Sequence, residues 1–205
     1  MDSRDVTRGI RRLVWPVLRE HGFAAFSGRS AWRYVGDTVD VVNFQSLSAS
    51  LADAVGCTTY SFSVNLGVWL PPDASEELEP KRDAQGRLRP AEYQCVPHRR
   101  RLEKSLAQPW FKPFSSDTRA WLPSLRLHRK GLGKVLRKDT HDRPDTWFVL
   151  PDGSNLQQCL EDALRAMREE GLPWFEAIRR DRRAPKSPPS AQTEALRQAL
   201  RRPPE

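Results

Sequence analysis

The 205-residue sequence predicts an α+β domain, in which an antiparallel sheet of about four to six strands is packed by an N-terminal helix and a C-terminal helix. Three observations predict it. Apolar residues recur at the 3.6-residue period near residues 10–18 and again over 156–167. Over 60–68 they alternate with polar or small residues at a period of two. Between these segments lie short β-branched and aromatic runs separated by glycine-containing turns.

The first helix is marked by Ile10, Leu13, Val14, Val17 and Leu18, which fall on one stripe, with Arg8, Arg11, Arg12 and Arg19 on the other faces. Ser3 or Asp5 is placed to cap its start and Gly22 to close its end. Pro16 removes one backbone donor inside this pattern, which predicts a kink. Strands are expected at 23–26, 32–35, 39–44 and 60–70, broken by Gly28-Arg29-Ser30, by a hairpin turn at Gly36-Asp37, and by small residues over 46–56. In the last of these runs Tyr60, Phe62, Val64, Leu66 and Val68 face the core, leaving Ser61, Ser63, Asn65 and Gly67 on a polar face.

Residues 71–92 are polar and proline-punctuated and read as a long loop; 93–102 return as a strand. Residues 109–145 mix Trp110, Phe111, Phe114 and Trp121 with base and proline, without a clean period. A short strand follows at 147–150 and stops at Pro151-Asp152-Gly153. Ser154 or Asn155 caps a second helix with the stripe Leu156, Cys159, Leu160, Ala163, Leu164 and Met167, and with Glu161, Asp162, Arg165, Arg168, Glu169 and Glu170 on its other faces. Gly171-Leu172-Pro173 is expected to end it, with Trp174, Phe175 and Ile178 packing a following turn. The organisation expected is one α+β domain over 1–183, with a basic, proline-rich insertion around 71–145, and a flexible Arg/Pro-rich tail over 184–205 holding at most a short helix at 190–201.

Several short motifs in order resemble a bacterial family, the domain of unknown function 4304. They are Leu13 through Pro16 and Leu18 into Gly22-Phe23; Trp32-Arg33-Tyr34; Val41-Val42-Asn43-Phe44-Gln45-Ser46; and Phe62-Ser63-Val64-Asn65-Leu66-Gly67-Val68. Cys95 ahead of Arg101-Leu102, and Trp147 leading to Gly171-Leu172-Pro173-Trp174, complete the series. The likeness covers roughly residues 10–178 and is poorest over 103–145. It implies one domain in a bacterial cytosolic setting and carries no established activity.

Composition narrows the function classes. No run approaches the ~18 apolar residues of a membrane span, and the first twenty residues are charged throughout, unlike a secretory signal. Cys57, Cys95 and Cys159 are odd in number and widely spaced, as expected of reduced thiols in a cytoplasmic protein. The net charge of +8 is unevenly placed: residues 79–145 hold 17 Lys or Arg against 8 Asp or Glu, whereas 1–78 hold 7 against 9. Clustered base makes a local positive field.

Catalytic and metal patterns are weak. Cys95 and His98 have the spacing of half a zinc site, but His128 and His141 supply no second close pair, so neither metal nor cofactor is expected. There is no G-x-S-x-G elbow, P-loop or G-x-G-x-x-G; Gly131-Leu132-Gly133-Lys134 lacks the context of a phosphate loop, and Asp37 and Asp40 read as turn residues of the hairpin. Two binding sets remain. Arg99, Arg100, Arg101, Lys104, Arg129, Lys130, Lys134, Arg137 and Lys138 form a basic patch that suits an acidic partner, either nucleic acid or an acidic protein. Asn43, Gln45 and Asn65, with Arg33 as an anionic anchor, make a polar sheet face that suits a small ligand or an enzymatic role. The reading favours a non-enzymatic binding or accessory domain using the basic section.

Overall fold

The computed structural model describes residues 1–55, 57–70, 80–104 and 144–183. The chain opens with α1 (Ser3–Gly9), a wider π turn (Ile10–Val14) and α2 (Trp15–Glu20). The cap is Asp2, one residue before the expected Ser3. Its carboxylate accepts from the backbone N–H of Arg4 and Asp5, and Asp5 accepts in return from the Asp2 N–H at 2.8 Å, a reciprocal capping box. At the other end Gly22 has φ +84°, and Phe23 N–H reaches the Leu18 carbonyl at 3.0 Å. Pro16 is absorbed by the π turn before it, where Trp15 N–H bonds the Ile10 carbonyl five residues back.

The sheet is β1 (Ala25–Ser27), β2 (Ser30–Val35), β3 (Thr38–Ser46), β4 (Phe62–Trp69) and β7 (Arg99–Arg101), in that spatial order and antiparallel throughout. Between β3 and β4, over 46–56, where only a break was expected, lies α3 (Ala49–Val55). The stretch 71–92 is not loop throughout: β5 (Lys81–Arg82) and β6 (Leu88–Arg89) pair as a two-stranded ribbon around Gly86, while 71–79 lie outside the described residues. The return over 93–102 is shorter than expected, a 3-10 turn at Glu92–Gln94 and then β7.

The second helix is α4 (Leu156–Ala166), a π turn (Met167–Gly171) and α5 (Leu172–Arg183). Gly171-Leu172-Pro173 therefore does not end it. As at Pro16, a π turn precedes the proline by one residue, and Leu172 N–H bonds the Met167 carbonyl, so the missing proline donor interrupts nothing. Asn155 sits at the N-cap position, but its side chain is spent on Leu150 N–H and the Phe148 carbonyl, both at 2.8 Å.

The helices lie on one face of the sheet. Val6, Ile10, Val14, Trp15 and Leu18 meet Cys159, Leu160, Ala163 and Phe175 over Ala31, Val42, Phe44, Phe62, Val64, Leu66 and Val68. Gly9 lets the first helix approach the second, since a Cβ there would lie 2.8 Å from a Leu160 methyl. The opposite sheet face carries a smaller cluster of Ala25, Trp32, Val39, Val41, Trp69 and Cys95. All eight residues of β4 are buried, so the face expected to be polar is covered as well.

The expected strand at 147–150 is reduced to one bridge, Phe62 with Trp147, whose backbones exchange bonds at 3.1 and 2.9 Å and whose rings stack at 5.8 Å. Trp147 Nε1–H donates to Asp162 Oδ2 at 3.0 Å, which places Asp162 inside the core and not on an outer helix face. Its other oxygen has no hydrogen-bond partner. No described helix is long and apolar enough to cross a membrane. Replacing Trp147→Phe keeps the stacked ring but strips Asp162 of its indole donor. It is expected to cost about 1–3 kcal/mol in urea unfolding; an unchanged unfolding midpoint would contradict this account of the Asp162 environment.

Candidate functional site

The basic segment 80–104 first crosses the sheet face turned away from the helices and then joins the sheet as β7. Its ribbon is held by side chains of β2: Trp32 Nε1–H donates to the Pro90 carbonyl at 2.8 Å and Tyr34 O–H to the Leu88 carbonyl at 3.1 Å. Arg89 lies over the Trp32 ring and Arg87 over Tyr34, at 5.1 and 5.4 Å. Both also converge on Asp83, Arg87 at 2.9 Å and Arg89 at 3.1 Å. Further on, Cys95 packs against Gly67 so closely that a Cβ on the glycine would lie 2.6 Å from the sulfur. Tyr93 and Val96 beside it are exposed.

Arg99, Arg100 and Arg101 form β7, the last strand of the sheet among the described residues, and all three are exposed. Alternation sends them to opposite faces. Arg100 pairs with Glu170 on the helix side, and Arg101 pairs with Asp145 at 2.8 Å on the other. Arg99 has no ion pair among the described residues. Lys104 is placed differently: it is half-buried with Nζ over the Phe148 ring at 5.0 Å, and burial lowers its pKa. Arg129, Lys130, Lys134, Arg137 and Lys138, like Trp110, Phe111, Phe114, Trp121 and the tail over 184–205, lie outside the described residues.

The polar sheet face does not assemble as expected. Asn43, Gln45 and Asn65 share one face, but Arg33 stands on the other, because strand parity pairs it with Asp40 while Asn43 pairs with Asn65. The amides serve their neighbours. Asn65 Nδ2–H donates to Gln45 at 2.7 Å, Arg101 donates to Asn65 Oδ1 at 2.9 Å, and Asn43 donates to Ser30 at 2.9 Å.

Arg33 belongs instead to a cluster absent from the sequence reading. Asp40, fully buried in β3 and not a turn residue, accepts from Arg33 Nε–H at 2.7 Å and from Arg179 of α5 at 2.5 Å. Burial raises the Asp40 carboxyl above its ordinary range, against the opposing pull of the two guanidinium groups. Glu176, one turn before Arg179, touches both Arg33 and Arg179 from the solvent side. Arg33 also donates to the His21 carbonyl at 3.1 Å and lies over the Phe23 and Phe175 rings. Beside the cluster is a cleft of about 330 Å³ lined by Arg33, Val35, Glu176, Arg179 and Arg180. The Arg33–Asp40 half was legible as a cross-strand pair three residues either side of the turn; Arg179, one of several arginines late in the chain, carried no local signal.

No group of three His, Cys, Asp or Glu side chains among the described residues is placed to hold a metal ion. The cysteine of the C-x-x-H pair is a core thiol: Cys95 Sγ–H points at the Ala91 carbonyl at 3.5 Å, and burial pushes its pKa up to about 12. The arrangement places exposed cations at β7 and anchored ones at the cleft.

The family model for a domain of unknown function, DUF4304, matches residues 14–177 of the chain. Among curated proteins, and among solved structures, nothing matches it.

Two outcomes follow for this region. Asp40→Ala leaves Arg33 and Arg179 buried without their shared carboxylate and should cost about 3–5 kcal/mol by chemical denaturation; a loss below about 1 kcal/mol would show that the cluster does not hold α5 to the sheet. Alkylation of the native protein at mildly alkaline pH should leave Cys95 unmodified, with labelling appearing only on unfolding, as read by peptide mass spectrometry; rapid native labelling would refute the buried neutral thiol.

Proposed function

The chain belongs to the domain of unknown function 4304 family, and on that footing we propose that it is a binding or accessory domain that engages an acidic partner through its basic segment. The observation that carries this reading is β7, where three consecutive arginines stand exposed on the last strand of the sheet among the described residues. A strand normally buries half of what it carries; this one presents cations to both sides of a rim.

Magnitudes favour exchange. The pairs Arg100–Glu170 and Arg101–Asp145 are between exposed or half-exposed side chains, so each contributes only about 0–1 kcal/mol and yields readily to a partner's phosphates or carboxylates. Arg99 needs no exchange. Tyr93, exposed in the same segment, supports nucleic acid within the acidic class, since an aromatic ring beside clustered base is a stacking platform for an unpaired base. An acidic protein uses the same cations without the ring.

Binding to mixed-sequence single-stranded DNA and RNA, titrated with salt, tests it. Affinity is expected to fall as salt rises, and the triple variant Arg99→Ala, Arg100→Ala, Arg101→Ala should weaken binding and flatten the log–log slope by about 2. No binding at low salt, or affinity indifferent to salt, rejects nucleic acid; co-purification of an acidic protein that the triple variant loses would then identify the other partner class.

A further inference from the structure

We propose that the cleft beside α5 is a binding site for a small oxyanion, a carboxylate or a phosphate, held between Arg33 and Arg179 in the place now taken by the Glu176 carboxylate. This site is separate from the basic segment, because Arg33 is on the helix-facing side of the sheet and the segment covers the other.

The two guanidinium groups are fixed before any ligand arrives. Both are anchored by Asp40, and Arg33 is further held by the His21 carbonyl and by the Phe23 and Phe175 rings. Donors preset in this way lose little freedom on binding. Arg33 Nη2 is buried and makes no hydrogen bond; Glu176 Oε1 approaches it at 3.2 Å as an ionic neighbour outside hydrogen-bond geometry. A buried donor without an acceptor is uncommon in a folded protein, and this one belongs to a residue that lines the cleft, where Glu176 Oε1 is its neighbour.

Glu176 is the part that can leave. Its side chain is 55% exposed, whereas those of Arg33 and Arg179 are 12% and 9% exposed and that of Asp40 is fully buried. The anchor of α5 is thus Asp40, and Glu176 occupies the fork of the two arginines as an internal carboxylate. With Glu176 swung into solvent, three arginines, counting exposed Arg180 at the rim, face one buried carboxylate. A cleft of about 330 Å³ is at the small end of ligand sites, which suits a compact anion and not a polymer.

Calorimetric titration of the full chain with inorganic phosphate and, separately, with succinate, against chloride at matched ionic strength, tests this. One or both anions should bind the wild type weakly, near ~1 mM. Glu176→Gln removes the competing charge and should tighten binding about tenfold. Arg180→Gln, at an exposed rim position that holds nothing in the fold, should weaken it about threefold with thermal stability unchanged. Preference between the two titrants tells phosphate from carboxylate. The proposal is overturned if neither anion binds wild type or Glu176→Gln above the chloride control, or if binding occurs and neither substitution alters it.

Discussion

Strand β4 is buried on both faces, and each layer of the domain is positioned by what it does with one of them. Its even-numbered side chains, Phe62, Val64, Leu66 and Val68, form the floor on which both helices rest. Its odd-numbered positions receive the covering segment: Gly67 admits Cys95, and Asn65 takes the Arg101 guanidinium. One edge is paired along its length with β3 and the other, at Asn65, Leu66 and Gly67, with β7, while its first residue bridges to Trp147. A central strand with no water on either side accepts only side chains that find partners above and below, so β4 constrains the sequence on both sides at once.

The two helices solve one problem in the same way. Each carries a proline in its interior, Pro16 and Pro173, and each widens into a π turn just before it. The ring removes a donor and crowds the carbonyl four residues back; one turn with five-residue spacing leaves that carbonyl free of the missing bond. The consequence is long helices where proline argues for ends. The extension of the second helix brings Glu176 and Arg179 over Arg33 and Asp40.

Cations are used here in two contrasting environments. At β7 they are exposed, loosely paired and displaceable, the condition for long-range attraction that salt screens. At Asp40 they are largely buried and anchored, holding a helix to a sheet. Net charge does not separate the two uses, since it counts Arg179 and Arg99 alike.

By itself the sequence determined the α+β class, the two amphipathic helices, the Gly36-Asp37 hairpin and the parity of β4, because each rests on a period or a turn residue within a few positions of chain. It also located the exposed arginines, which are consecutive. Tertiary structure decided the rest. That Arg33 faces away from Asn43 and Asn65 follows from register, and register is set by the turn and by pairing across strands. That Asp162 and Asp40 are core residues depends on Trp147 and Arg179, partners 15 and 139 positions away. Local pattern reports which residues prefer to be dry; only the packed chain decides which polar groups are buried with them, because their partners come from far along the sequence.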